Sequence, residues 1–223
     1  FGHQPIRSAY LITQADFVAC HKQTYVQRYD LLAGLKPNGK FVLNCTWTPD
    51  ELEKNLPAAM KRYIASHDIQ FYIINAGEIA QELGLKGRIN MIMQAAFFKL
   101  SAIIPLTDAV RYLKEGVDAA YAKQGQAVLD MNYAAIDRGA EGLVRVMAPD
   151  AWKTAEDPAG AADESLPAFI RNVMIPMNRE EGDRLPVSTF NGCEDGSFPL
   201  GGTAWEKRGI AVETPQWQPE NCI

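Results

Sequence analysis

The residues best suited to chemistry are cysteines and histidines that follow short apolar runs. Cys20 and His21 come directly after the run at residues 17–19, and Cys45 follows the next run along the chain. A cysteine with a histidine base nearby is the arrangement of a thiolate nucleophile. Because adjacent residues of a strand point to opposite faces, Cys20 cannot pair with His21, and only a pairing of Cys45 with His21 across neighbouring strands stays open. Buried, inert cysteines are the alternative, since a free cysteine behaves as a small hydrophobic residue.

Polar residues at the ends of the apolar runs predict a second kind of site, a ligand-binding rim. Three run ends carry such residues: Cys20-His21, Asn44-Cys45-Thr46 and Asn75-Ala76-Gly77. Ligands of open parallel sheets bind beyond the carboxyl ends of the strands. The candidates for the rim are Asn44, Asn75 and Asn90. Turn and capping chemistry is the alternative for each, and Asn90 is equally well placed to cap a helix.

The elements that position these residues alternate between strands and helices in the first half of the chain. The apolar runs at 17–20, 41–43 and 69–74 predict strands, and helical patterns follow at 23–35, after Thr48, and at 76–83. The second helix has a capping-box start, with Thr48 as N-cap, Pro49 at the first position and Glu51 at the third. Its apolar face comprises Leu52, Leu56, Met60, Tyr63 and Ile64. This alternation predicts an α/β fold: an open parallel-sheet sandwich with flanking helices.

Three further helices and a small appended domain are predicted in the second half. The helices are an apolar one at 91–104, one capped by Thr107, and a third after Gly125 that extends to Met147. The segment at 153–166 is rich in Ala, Asp, Glu, Gly and Pro and predicts a linker. We therefore expect an α/β domain at 1–152 and a small irregular β-rich domain at 167–223. The small domain has few apolar residues for its length, so we expect it to pack on something larger.

Composition narrows the class of protein. The 223 residues include 22 basic and 27 acidic side chains, a formal net charge of -5 without long like-charge runs, which predicts no nucleic-acid partner. The sequence offers no apolar run of membrane-spanning length and no signal-peptide pattern, which predicts a soluble cytoplasmic protein. Its four cysteines lie far apart without a Cys-x-x-Cys pair, which is typical of a reducing compartment.

The C-terminal segment of the sequence and several strings before it resemble a known family. The string FPLGGTAWEKRGIAVETPQWQPENCI (residues 198–223) is similar to the segment of pyruvate:ferredoxin (flavodoxin) oxidoreductases that carries their Glu-Lys-Arg-Gly signature. The strings PIRSAYLITQADFVACH, GRINMIMQAAFFKL and MNYAAIDRGAEGL resemble the preceding 2-oxoacid oxidoreductase gamma-type domain. The resemblance covers essentially the whole chain.

The resemblance implies a function for the longer polypeptides of that family. They oxidatively decarboxylate pyruvate to acetyl-CoA and CO₂ and pass the electrons to ferredoxin or flavodoxin. Their cofactors are thiamine diphosphate with Mg and three [4Fe-4S] clusters, and coenzyme A is a substrate. The resemblance also implies that the intact enzyme is a homodimer and that its remaining domains belong to the same polypeptide as this chain. Residues 1–152 would be the coenzyme A-associated gamma-type domain, truncated at its N-terminus, with Asn44, Asn75 and Asn90 as candidates for the coenzyme A rim. Residues 167–223 would be the small Glu-Lys-Arg domain.

One residue role is carried over from the family. There, the sequence after Pro-Glu-Asn-Cys-Ile continues into the cysteine pattern of bacterial ferredoxins, so Cys222 would be the first ligand of a [4Fe-4S] cluster in the intact enzyme. The ferredoxin-like domain itself, the thiamine regions and the Gly-rich segment near coenzyme A would lie outside the 223 residues. We therefore expect an inactive fragment that binds no cofactor and contains no catalytic residue. Two alternatives stay open: a non-catalytic docking module and a free-standing Cys/His thiol enzyme.

Overall fold

The computed structural model describes residue 5 and residues 12–156, 165–206 and 215–221. The chain divides into two compact units, residues 1–159 and residues 160–223. The first unit contains the sheet, and the second contains short helices and turns. No helix in the described ranges is both long and apolar enough to cross a membrane.

The first unit is built on a four-stranded sheet with the strands in sequence order. Strands β1 (Ala15–Cys20), β2 (Leu35–Asn44) and β3 (Gln70–Ile74) are parallel, and β4 (Val144–Val146) pairs antiparallel with β3. The three predicted strands and their parallel arrangement are thus confirmed. The fourth strand was not predicted.

Helices cover both faces of the sheet. The helices on the sheet are α1 (Pro49–Asn55), α2 (Ala58–Ser66), α3 (Ala76–Glu82), α4 (Asn90–Ser101) and α6 (Gln126–Glu141). A further helix, α5 (Leu106–Tyr121), packs on α4 and α6. Successive strand residues point to opposite faces, so Phe41 and Phe71 pack with α1 and α2, whereas Val42 and Ile74 pack with α3 and α4. The segments of the central strands that are covered on both sides, residues 41–43 of β2 and 71–74 of β3, are accordingly apolar. The predicted α/β sandwich with flanking helices is confirmed.

The helix predicted at 23–35 is wrong in extent. A single 3₁₀ turn (Gln23–Gln27) follows β1, and turns lead from it to Gly34. Gly34 has φ of +79°, and its carbonyl oxygen accepts a hydrogen bond from the Ala15 amide at 2.9 Å. The positive φ ends any helical continuation, and the chain enters β2 at Leu35 instead.

Proline decides two other helix boundaries. The predicted helix after Thr48 is divided into α1 and α2 by Pro57, because the residue before a proline avoids the helical region; Leu56 accordingly has ψ of 135°. The apolar face is kept across the break, since Leu52 and Ile64 are both fully buried. Pro105 rather than Thr107 precedes α5, so the predicted Thr107 cap is wrong.

The third long helix is shorter than predicted. It ends at Glu141, and residues that were assigned to it form β4 after Gly142. A Cβ on Gly142 would lie 2.9 Å from the Ile79 Cδ1 atom and 3.0 Å from the Arg138 carbonyl oxygen. The chain therefore turns at a glycine that lies too close to its neighbours for a side chain, and it returns to the sheet as an antiparallel edge strand.

The second unit departs from the predicted β-rich character. A π-helical turn (Ile170–Met174) continues into α7 (Ile175–Asn178), and 3₁₀ turns follow. The structure shows no strand within residues 165–206 and 215–221. Glycines and prolines recur too closely here to leave a run long enough for strand pairing. The prediction of a β-rich domain is therefore wrong for this part of the chain.

The end of the first unit is anchored where the sequence predicted the start of a linker. Trp152 lies in a 3₁₀ turn (Asp150–Thr154), is buried, and donates from Nε1 to the Glu53 carboxylate. The same carboxylate accepts a hydrogen bond from the buried Lys61 ammonium at 2.8 Å. Contacts with α1 and α2 thus hold the first residues of the predicted linker.

Candidate functional site at the carboxyl edge of the sheet

A cavity of about 230 Å³ lies where the parallel strands end. The exits of β1, β2 and β3 all contribute to it, as predicted from the polar residues that follow the apolar runs. Its lining includes His21, Lys22, Gln23, Thr24, Asn44, Cys45, Thr46, Asn75 and Gly77. We call this set the carboxyl-edge rim. It brings together residues that are up to about fifty positions apart in the sequence.

Asn44 ties the three strand exits together. Its Nδ2 atom donates to the His21 carbonyl oxygen at 3.0 Å, and its Oδ1 atom accepts from the Ala76 amide at 2.9 Å. The side-chain amide thereby joins the end of β1 to the start of α3. Asn44 therefore shapes the rim by satisfying backbone groups that the parallel ladder leaves unpaired.

Gln23 fixes the loop after β2. Its Oε1 atom accepts from the Thr46 amide at 2.8 Å and from the Thr46 hydroxyl at 3.2 Å. Sequence reasoning did not include Gln23, Lys22 or Thr24 among the site residues. Their position in the sequence could have identified them, because all three follow closely after the end of β1, and ligands of parallel sheets bind beyond the carboxyl ends of the strands.

Asn75 and Asn90 have different positions. Asn75 caps α3, since its Oδ1 atom accepts from the Glu78 amide at 3.1 Å and its Nδ2 atom donates to the Glu78 carboxylate at 2.9 Å. Asn90 is the first residue of α4, and the residue before it, Ile89, makes no side-chain cap. Asn90 is not among the residues that line the cavity. The structure thus brings Asn44 and Asn75 together and leaves Asn90 outside.

The two cysteines at this edge are buried and protonated. Cys20 and Cys45 are 3% and 4% exposed, and their thiols donate to the carbonyl oxygens of Lys22 and Trp47 at 3.0 and 3.8 Å. Burial raises the pKa of both thiols, that of Cys45 to about 11, and outweighs the hydrogen bonds that would lower it. A thiol enzyme needs a depressed pKa. The thiol-enzyme hypothesis is therefore wrong for these residues.

Metal ligation is not supported by the part of the chain that the structure describes. Those residues contain no group of three His, Cys, Asp or Glu side chains that could hold a metal ion. Cys193 belongs to the second unit, and the two buried cysteines belong to the first. They do not provide four thiolates for a [4Fe-4S] cluster. Cys222, the predicted cluster ligand, lies outside the described residues.

The fold and the carboxyl-edge rim define the first unit as an open-sheet α/β domain. The chain belongs to the pyruvate ferredoxin/flavodoxin oxidoreductase family, whose model matches residues 1–142. A second model, named EKR and described as a domain of unknown function, matches residues 155–211.

Curated relatives of this family are similar over the full chain. A pyruvate-flavodoxin oxidoreductase from Enterobacter agglomerans is 59% identical over 222 residues, and a pyruvate:ferredoxin oxidoreductase from Moorella thermoacetica is 53% identical over 223 residues. Each alignment covers 100% of this chain and 19% of the relative. The chain thus spans about a fifth of their length.

A solved structure shows a weaker likeness. The pyruvate oxidoreductase subunit PORC from Thermotoga maritima aligns with a TM-score of 0.48 at 19% identity, over 60% of this chain and 66% of that one. This likeness is too weak to transfer any site residue.

Proposed function

We propose that the chain is part of a longer pyruvate:ferredoxin or pyruvate:flavodoxin oxidoreductase. The observation that carries the proposal is 53 to 59% identity over the whole chain to relatives with these names. The longer polypeptide would oxidatively decarboxylate pyruvate to acetyl-CoA and CO₂ and reduce ferredoxin or flavodoxin. Its thiamine diphosphate with Mg and its three [4Fe-4S] clusters would be bound mainly by other regions. A cytoplasmic homodimer completes the proposal.

The part of this chain in that reaction is proposed to be coenzyme A binding at the carboxyl-edge rim. The position beyond three parallel strand ends supports this, since open α/β sheets bind ligands there. The amides of Asn44 and Asn75 already bond within the protein, so they would shape the rim rather than contact the ligand. The exposed Lys22 ammonium would attract the phosphates.

Steady-state kinetics of the longer polypeptide test this role. We expect Lys22→Glu to raise the KM for coenzyme A about fivefold or more with little change in kcat, because reversing one exposed charge costs about 1 kcal/mol of attraction. Lys123→Glu is the matched control: Lys123 is also exposed, lies after α5, and is not part of the rim. An equal rise of KM in both variants would contradict binding at the rim.

The 223-residue chain and the longer polypeptide should differ in catalytic turnover. We expect pyruvate- and coenzyme A-dependent reduction of a viologen dye by the longer polypeptide, and none by the 223-residue chain. Steady dye reduction by the 223-residue chain would contradict the proposal.

The docking-module hypothesis is compatible with this function. It predicts exposed apolar residues around Trp205 and Trp217, and these side chains are 50% and 74% exposed. Large exposed apolar side chains on a small unit are typical of a surface that contacts other protein. We propose that the second unit serves as a docking element within the longer polypeptide.

A further inference from the structure

The second unit contains an apolar groove of about 540 Å³. The residues that line it include Met174, Met177, Phe198, Leu200, Gly201 and Gly202. We call it the methionine groove. It is larger than the cavity at the carboxyl-edge rim and lies in a different unit.

Three apolar side chains that line the groove are exposed. Leu200 is fully exposed, Phe198 is 68% exposed and Met177 is 49% exposed. In the described part of this unit, the apolar side chains that are buried are Ile170 and Val173. The unit thus leaves apolar side chains of the groove uncovered, and exposed apolar surface of this kind marks an interaction site.

The shape and composition of the groove favour a helix as its occupant. Met174 and Met177 are three residues apart on one helical segment, so they form a flexible ridge that adapts to the side chains of a partner. Two glycines add backbone to the lining: Gly201 has φ of +80°, and a Cβ on Gly202 would lie 3.5 Å from the Met174 sulfur. Apolar grooves with methionine walls bind amphipathic helices through residues at i, i+3 and i+4 spacing.

The charge of this unit determines the polar side of that helix. Residues 160–223 include ten acidic side chains and five basic ones, so the unit carries a net negative charge. A helix with lysine or arginine beside its apolar face would therefore be attracted, and one with acidic residues would be repelled.

We propose that the methionine groove binds a basic amphipathic helix from another region of the same longer polypeptide. This inference rests on the proposed function, because the matched relatives are about five times as long as this chain. A segment of the same polypeptide has a high effective concentration, so even a small groove is occupied.

A model peptide tests the chemistry of the groove in the 223-residue chain. The probe is a 14-residue helical peptide of leucine and lysine with one apolar face, and its counterpart carries glutamate in place of lysine. We expect the lysine peptide to shift the Met177 methyl resonance, and Leu200→Gln to weaken its binding at least tenfold. Val187→Gln is the matched control, because Val187 is 88% exposed, lies in the same unit and does not line the groove. Absence of binding, equal binding of the glutamate peptide, or equal weakening by both substitutions would overturn the proposal.

Cross-linking in the longer polypeptide tests the source of the helix. A photo-cross-linking residue, p-benzoylphenylalanine, placed at position 200 instead of Leu200 leaves every cysteine of the longer polypeptide in place and reports the segment that contacts the groove. We expect an intramolecular cross-link to a lysine-bearing helical segment outside these 223 residues. A cross-link only to a separate protein or a second copy would overturn the assignment. If the unmodified longer polypeptide shows no pyruvate-dependent dye reduction, this contradicts the proposed function alone. The peptide experiment still tests the groove, because binding of the peptide does not depend on turnover.

Discussion

Replacing Gly139 with alanine should destabilise the first unit, whereas the same replacement at Gly116 should stabilise it. Gly139 lies in α6 where this helix crosses α4. A Cβ at this position would lie 2.4 Å from the carbonyl oxygen of Ile92, 2.6 Å from its Cα and 2.9 Å from its carbonyl carbon. All three are backbone atoms, so no change of rotamer relieves the overlap. Gly116 lies in α5, and a Cβ there would meet nothing within 4 Å.

The two substitutions share one favourable effect and differ in one unfavourable effect. Alanine is better than glycine in a helix by about 1 kcal/mol, and this gain applies at both positions. At Gly139 the helices must move apart by about 1 Å to reach ordinary contact, which loosens a core that contains the fully buried Ile136. Overpacking typically costs about 1 to 3 kcal/mol, and we take the upper end here, about 3 kcal/mol, because the overlap is with backbone atoms. We therefore expect Gly139→Ala to lower the free energy of unfolding by about 2 kcal/mol and Gly116→Ala to raise it by up to about 1 kcal/mol.

Urea unfolding followed by far-UV circular dichroism measures this difference. In thermal unfolding, about 3 kcal/mol between the variants corresponds to a separation of roughly 6 to 12 °C in Tm for a chain of this size. Ile92→Ala should not rescue Gly139→Ala, because the overlap is with backbone atoms. Equal stability of the two glycine variants would refute the close approach of α4 and α6.

Three further predictions concern stability, pH and reactivity. Trp152→Ala should destabilise the first unit by about 3 kcal/mol or more in urea unfolding, because it empties a buried site, while the exposed Trp205→Ala should leave this transition unchanged. Glu51 accepts two hydrogen bonds at the start of α1, which lowers its pKa in the folded state. The ionised Glu51 carboxylate should therefore stabilise the fold at pH 7, and this stabilisation should be lost as the pH falls below about 4.3. We expect Glu51→Gln to lower the urea midpoint at pH 7 and to have less effect at pH 3. Cys45, whose pKa is raised to about 11, should react with iodoacetamide at pH 8 only after denaturation. The partly exposed Cys193 should react in the native protein. Fast labelling of Cys45 in the native protein would contradict its burial.

Short sequence patterns predicted the start of α1 and the buried strands. The Glu51 carboxylate accepts from the Thr48 amide at 2.9 Å, as the capping-box spacing predicts. The buried strands were predicted from apolar runs, since a strand covered on both faces must be apolar throughout. Predictions failed where a single glycine or proline decided the local path, as at Gly34 and Pro57.

The candidate site could be predicted in position but not in chemistry. The order of strand exits was sufficient to place Asn44 and Asn75 at one edge of the sheet. The hydrogen bond from Asn44 to the His21 carbonyl oxygen depends on how neighbouring segments meet, which no local pattern specifies. The bond of Asn75 to the Glu78 amide is a local helix cap, which is the alternative that the sequence offered. Like the bond of Asn44, that of Gln23 is not local, since its partner Thr46 is 23 positions away.

The sequence by itself determined the α/β class, the parallel strands and the family, because periodicity and motif strings are properties of contiguous residues. The tertiary structure decided which groups are available for chemistry. The sequence left open whether Cys45 is a thiolate nucleophile or a buried, inert thiol. Burial of Cys20 and Cys45 by distant side chains disfavours the thiolate and supports the inert alternative. Likewise, Leu200 and Met177 became a binding surface because the second unit has too few apolar neighbours to cover them. Solvent exclusion is set by contacts between residues far apart in the chain, and it therefore had to be read from the fold.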